Sequence, residues 1–151
     1  MSMGLREDLV FSALIMVALW LSGATLGYPL YLGGWYVMGL YAMVLMASLA
    51  LRAPALFITG ATAAVAATLL AYLRLQGGRL HPDGLLGLGH VFSAPGLLAG
   101  LAATAWLIPR RARGSLPWQV AGLGFCGSVV GFALAQLLVC NSVMHCGPLS
   151  R

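Results

Sequence analysis

Four stretches of this chain, residues 9–51, 53–73, 84–109 and 114–150, contain no Asp, Glu, Lys or Arg. A soluble domain cannot tolerate such gaps, because its surface needs charge every few positions to stay solvated and free of large apolar patches. Lipid is the solvent that removes this requirement, and a transmembrane helix takes about 20 consecutive apolar residues. The expected fold class is all-α: a polytopic membrane protein, built as a bundle of about five transmembrane helices. Residues 1–151 read as a single integral-membrane domain, since nothing outside the apolar runs is long enough to bury a core of its own.

Turn residues cut the runs into helices. Gly27-Tyr28-Pro29 and Gly33-Gly34 bracket a short aromatic loop, which predicts helices over about 8–26 and 35–51. Arg52-Ala53-Pro54 follows, a charge at an interface with a proline suited to a first helical turn, so the third helix is expected over 54–73. Joining the second and third helices would place Arg52 at mid-membrane, which span length and charge cost both oppose. The polar stretch around Gln76, Arg79, His81 and Asp83 reads as an extramembrane loop. A fourth helix is expected over 86–108, with Pro95 as a possible kink, and a fifth over 118–139. The apolar run after Arg6 has the outline of a signal peptide. Glu7 and Asp8 stand where such a segment carries only positive charge, so the run reads as a retained first span.

The chain has eight basic residues, all Arg, against three acidic ones, for a net charge of +5. The arginines sit at segment ends, where they orient helices and meet lipid phosphates, so no nucleic-acid partner is expected. With the N-terminus cytoplasmic, Arg6, Arg52, Arg110, Arg111 and Arg113 fall inside and Arg74, Arg79 and Arg151 outside. That asymmetry predicts an N-in, C-out orientation, in a bacterial inner (plasma) membrane. Trp20, Tyr28, Tyr31, Trp35, Tyr36, Trp106 and Trp118 fall near the expected helix ends, as an aromatic belt would.

Few residues carry chemistry. Cys140 and Cys146 lie in the tail, on the side read as oxidising, and their spacing with the intervening turn residues allows a disulfide. Cys140, Met144, His145 and Cys146 also make a set of soft ligands, so copper or zinc is the alternative at the tail; no other cofactor is expected. Cys126, beside Gly124 and Gly127, reads as a small packing residue. His90, Gln136, His81 and Asp83 are the candidates for a polar site, with His90 expected at the interface, bonded to Ser93 or water, and Gln136 facing another helix or a polar cavity. Met16, Met38, Met43 and Met46 share no single helical face and read as packing or lipid-facing residues. No nucleophile, base and orienting acid stand together in a protected setting, so enzymatic activity is not expected.

The strongest remaining pattern is small residues at i and i+4. Gly96 with Gly100, and Gly127 with Gly131, are GxxxG pairs, and Gly60, Ala64 and Ala67 follow similar spacing. Small faces let helix backbones approach closely in lipid, where no hydrophobic drive operates between helices. The pattern marks helix packing and leaves the partner open. Two function classes follow. The first is a small accessory or structural subunit of an inner-membrane complex or a homo-oligomer, its glycine faces docking on partner helices. The alternative is a small-solute transporter or channel formed by an oligomer, with soft-metal handling through the tail as a third. Ion and proton pathways use ionisable residues inside the bilayer, and the apolar runs contain no Asp, Glu, Lys or Arg, which favours the subunit.

Overall fold

The computed structural model describes residues 4–25, 33–77, 84–111 and 116–142. Among them the only regular elements are five helices: α1 (Leu5–Thr25), α2 (Gly33–Ala50), α3 (Phe57–Gly77), α4 (Gly84–Arg111) and α5 (Pro117–Ser142). Three are long and apolar enough to cross a membrane, with candidate spans Phe57–Arg74, Leu88–Ile108 and Pro117–Ser142, and Gly34–Ala50 is a shorter apolar helix. The first turn of α1 holds Arg6, Glu7 and Asp8, which shortens its uncharged length.

Local chemistry sets the helix ends. At the start of α1 the Glu7 carboxylate accepts from Gly4 N, and at the start of α5 Gln119 Oε1 accepts from Leu116 N, each a third-turn-position acceptor reaching back to an orphan donor. Pro117 occupies the first position of α5, where its missing N–H costs nothing. The end of α2 is closed by Ala53 N donating to Ser48 O and Arg52 N donating to Leu49 O, both 3.0 Å. That paired closure requires a left-handed residue, and Arg52 supplies it with φ 50°. Arg52→Gly is therefore expected to raise stability by about 0.5–1 kcal/mol, because glycine takes this conformation without a Cβ clash. A denaturation midpoint in mixed micelles measures it; an unchanged or lower midpoint would mean that the arginine contributes more than its backbone strain costs.

The third helix begins three residues later than Pro54, where the sequence placed it. Phe57 N donates to Pro54 O and Leu56 has φ 66°, so residues 54–57 form a turn with a left-handed third residue that no helix can include. At the other end α4 runs on through Pro109 to Arg111, beyond the expected 108, and it continues without interruption across Pro95.

Side-chain pairings fix the helix directions. Gly96 lies against Ala135 and Gly131, and Gly127 against Thr104, so α4 and α5 run antiparallel. Gly60 and Gly124 bring the start of α3 to the start of α5, while Thr68, His90 and Phe132 meet further along, so α3 and α5 run parallel. Ser12 meets Tyr41 and Trp20 lies beside Gly34, which makes α1 and α2 antiparallel. The starts of α1, α3 and α5 thus share one end of the bundle with the ends of α2 and α4. The most enclosed helix is α3: 61% of its span is buried, against 17% for α5. Its Phe57, Ala61, Ala64 and Val65 are fully buried and form the core with Leu40 and Val44 of α2 and Leu97 and Leu101 of α4. Outward-facing positions carry large apolar side chains, among them Leu14, Met46, Val130, Leu134 and Leu138.

Candidate functional site

Two clusters of hydrogen-bonded polar side chains stand inside this apolar bundle. At the end where α1, α3 and α5 start, Asp8 is 1% exposed. Its carboxylate accepts from Ile58 N at 3.2 Å, from Thr59 N at 2.8 Å and from the Thr59 hydroxyl. Ile58 and Thr59 stand in the first turn of α3, whose N–H groups have no intrahelical acceptors, and the turn at residues 54–57 offers no capping side chain of its own. Asp8 on α1 caps α3 across 50 residues of sequence, and the positive end of the α3 dipole favours its charge there. Nearby on α1, Ser12 is buried and bonds Tyr41 of α2 at 3.0 Å.

Toward the opposite end, four helices meet around His90. The imidazole is 2% exposed. Tyr36 of α2 is 2.8 Å from Nδ1 through its hydroxyl, and Thr68 of α3 lies 3.4 Å from Nε2. Three aromatic rings surround it: Phe132 at 4.8 Å between centroids, Tyr36 edge-on at 5.8 Å and Tyr72 at 5.9 Å. One turn further along α4, the buried Ser93 hydroxyl lies 2.6 Å from Gln136 Oε1 of α5, and Gln136 Nε2 donates to Cys140 Sγ at 3.5 Å. A Cβ on Gly89 would stand 3.4 Å from Gln136 Nε2, so the amide lies directly against α4 at this turn.

His90 and Gln136 are therefore neighbours in one cluster. The partners of His90 are not those expected: Tyr36 and Thr68 bond it, while Ser93 turns to Gln136. Tyr36 correspondingly points inward, whereas Trp20, Trp35, Trp106 and Trp118 at the helix ends are exposed. His81, Asp83, Met144, His145 and Cys146 lie outside the described residues. Among the described residues no three His, Cys, Asp or Glu side chains converge as metal ligands. Cys126 is a free thiol on the exposed face of α5 and not a packing residue, because Gly124 and Gly127 occupy the buried faces of that turn. Cys140 is 1% exposed and is not a free thiol. Met38, Met43 and Met46 are exposed, and Met16 is in the core.

The GxxxG glycines meet each other. A methyl group on Gly96 would overlap Ala135 and the Gly131 carbonyl, one on Gly100 the Gly127 carbonyl, and one on Gly131 the Gly96 carbonyl. Both small faces are thus occupied inside the chain, and a partner helix cannot use them. The sequence also gave no hint of Asp8, Tyr36 or Thr68 as site members. Asp8 reads locally as one more charge in a polar N-terminal flank, and only its spacing in the fold brings it to α3. Compared with known protein families, curated proteins and solved structures, the chain matches none.

Proposed function

We propose that the chain is a five-span, N-in, C-out protein of a bacterial inner membrane, and that it serves as an accessory or structural subunit of a membrane complex. The observation that supports this reading is how the small and polar residues are spent. The glycine faces close α4 on α5, the imidazole is caged by rings from three helices, and the outer surface carries bulky apolar side chains. An interior packed in this way has the character of a scaffold. The least buried span, α5, presents Val130, Leu134 and Leu138 outward, where lipid or partner helices would cover them. Cys140, withdrawn from the free thiols at the end of α5, pairs in this reading with Cys146 as a disulfide on the oxidising side of the membrane.

Two measurements test the proposal. A reporter active only in the cytoplasm should work when inserted at Ala112 and be silent when fused after Arg151; the reverse pattern would overturn the orientation. For the role, a photo-crosslinking residue at Leu134, in cells expressing the chain at its native level, should join it to one membrane protein in constant proportion. A crosslinker at the buried Leu97 should give none. If Leu134 captures only lipid and the purified chain passes small solutes in proteoliposomes, the subunit reading fails and the oligomeric conduit replaces it.

A further inference from the structure

Two backbone donors at the start of α3 have two alternative pairs of acceptors. Ile58 N and Thr59 N donate to the Asp8 carboxylate of α1. Were α3 one turn longer, the same two N–H groups would donate to Pro54 O and Ala55 O, four residues back. The sequence favours that longer helix, since Pro54 suits a first helical position and Ala55 and Leu56 are good helix formers. What stops it is Leu56, whose φ of 66° ends the helix at Phe57. A left-handed leucine carries strain that persists only where its surroundings enforce it. Asp8 enforces it. Its carboxylate is 1% exposed and stands at the donors in place of the carbonyls of the missing turn, and Thr59 meets it through both its N–H and its hydroxyl.

From this exchange of acceptors we propose that α3 has two N-terminal registers, and that docking of Asp8 selects the shorter one. In the docked register α3 starts at Phe57, Leu56 is strained and α1 is tied to α3. In the released register α3 starts at Pro54, Leu56 relaxes into the right-handed helical region, and Asp8 leaves α3. Gly60 N donates to Leu56 O at 3.1 Å in the docked register, and the same bond belongs to the longer helix, so nothing beyond Gly60 has to move. Hydrogen bonds to a carboxylate are stronger than those to neutral carbonyls, which makes the docked register the ground state. The main packing of α1 is on α3. Whatever draws α1 away therefore lengthens α3 by a turn and reshapes the loop from Arg52 to Leu56. This device does not depend on the subunit reading, since every group in it belongs to the chain itself.

The test uses the full chain in detergent micelles, labelled with ¹³C and ¹⁵N, and compares the parent with Asp8→Ala. The Cα shifts of Ala55 and Leu56 report the register. In the parent they should be those of a turn, and in Asp8→Ala both should move downfield to helical values. Amide exchange at Ile58 and Thr59 separates a change of register from a helix that has merely lost its cap. With the register changed, both amides should be slowed no less than that of Gly60, whose acceptor is Leu56 O in either register. Leu56→Ile approaches the device from the other side in a chain that keeps Asp8. A β-branched residue tolerates the left-handed region poorly, so Ala55 should again move toward helical values, which keeps the test available if Asp8→Ala does not fold. Adding Leu56→Gly to Asp8→Ala should return Ala55 to turn shifts, because glycine holds the left-handed turn without strain. Turn shifts at Ala55 in both Asp8→Ala and Leu56→Ile, or Ile58 and Thr59 amides in Asp8→Ala that exchange faster than Gly60, would overturn the two registers.

Discussion

Replacing Asp8 by alanine is expected to lower the stability of the bundle by about 2–4 kcal/mol. The estimate combines the loss of a helix cap, about 0.5–2 kcal/mol, with the cost of leaving buried donors without a charged acceptor, about 1–3 kcal/mol. Two backbone donors lose their partner together, Ile58 N and Thr59 N, while the Thr59 hydroxyl keeps the carbonyl of residue 8 at 3.2 Å. No water can replace the carboxylate without opening the α1–α3 contact, since the site is 1% exposed. Asp8→Asn keeps one oxygen acceptor and loses the charge at the helix terminus, so it should fall between alanine and the parent. Glu7→Ala removes a single exposed contact to Gly4 N and should change stability by less than about 0.5 kcal/mol. Reversible unfolding in mixed micelles gives all three values. An Asp8→Ala variant as stable as Glu7→Ala would show that α3 does not depend on the cap.

The same residue shows where reading the sequence stops. The charge-free runs revealed the helices because a long apolar helix leaves a one-dimensional signature: it is a run, and a run is visible without knowing its neighbours. Asp8 has no such signature. Its partner is 50 residues away, and the turn that strips α3 of a local cap depends on Leu56 adopting φ 66°, which a leucine does not advertise. The argument that no ionisable residue enters the apolar segments therefore missed a buried carboxylate at the edge of the first one. Glycines were legible as a packing face and illegible as to partner. Spacing of four defines a small face on one helix, but pairing Gly96 and Gly100 with Gly127 and Gly131 requires the antiparallel register of α4 and α5. Gly60 and Ala64 were read as one small face with Ala67, yet Ala67 is exposed, since α3 turns that position away from α5. His90 and Gln136 were recognisable as polar residues in need of partners. The cluster they form was not, because Tyr36 read as a belt residue and Thr68 carried no signal at all.

Glycines give the sharpest contrast of effect within a single residue type. Gly60→Ala should disrupt the fold, whereas Gly122→Ala should leave it intact or stabilise it. A Cβ on Gly60 meets three backbone atoms of Ala121, its carbonyl oxygen, carbonyl carbon and Cα, and backbone cannot step aside as a side chain can. The α3–α5 contact would have to separate at the most enclosed helix of the bundle, and a loss of about 3 kcal/mol or more is expected, at the upper end of overpacking costs. Gly122 lies on the same turn of α5 with open space around it, so a methyl group there meets nothing within 4 Å. In a helix interior alanine is favoured over glycine by about 0.5–1 kcal/mol, so the sign of the effect should reverse between Gly60 on α3 and Gly122 on the turn of α5 that Gly60 packs against. Gly39→Ala on α2, also in open space, should behave like Gly122→Ala. Unfolding midpoints of the three variants, taken in one micelle composition, decide the matter. Equal tolerance at Gly60 and Gly122 would mean that α3 and α5 are not in backbone contact at this point, and the packing that encloses α3 would have to be redrawn.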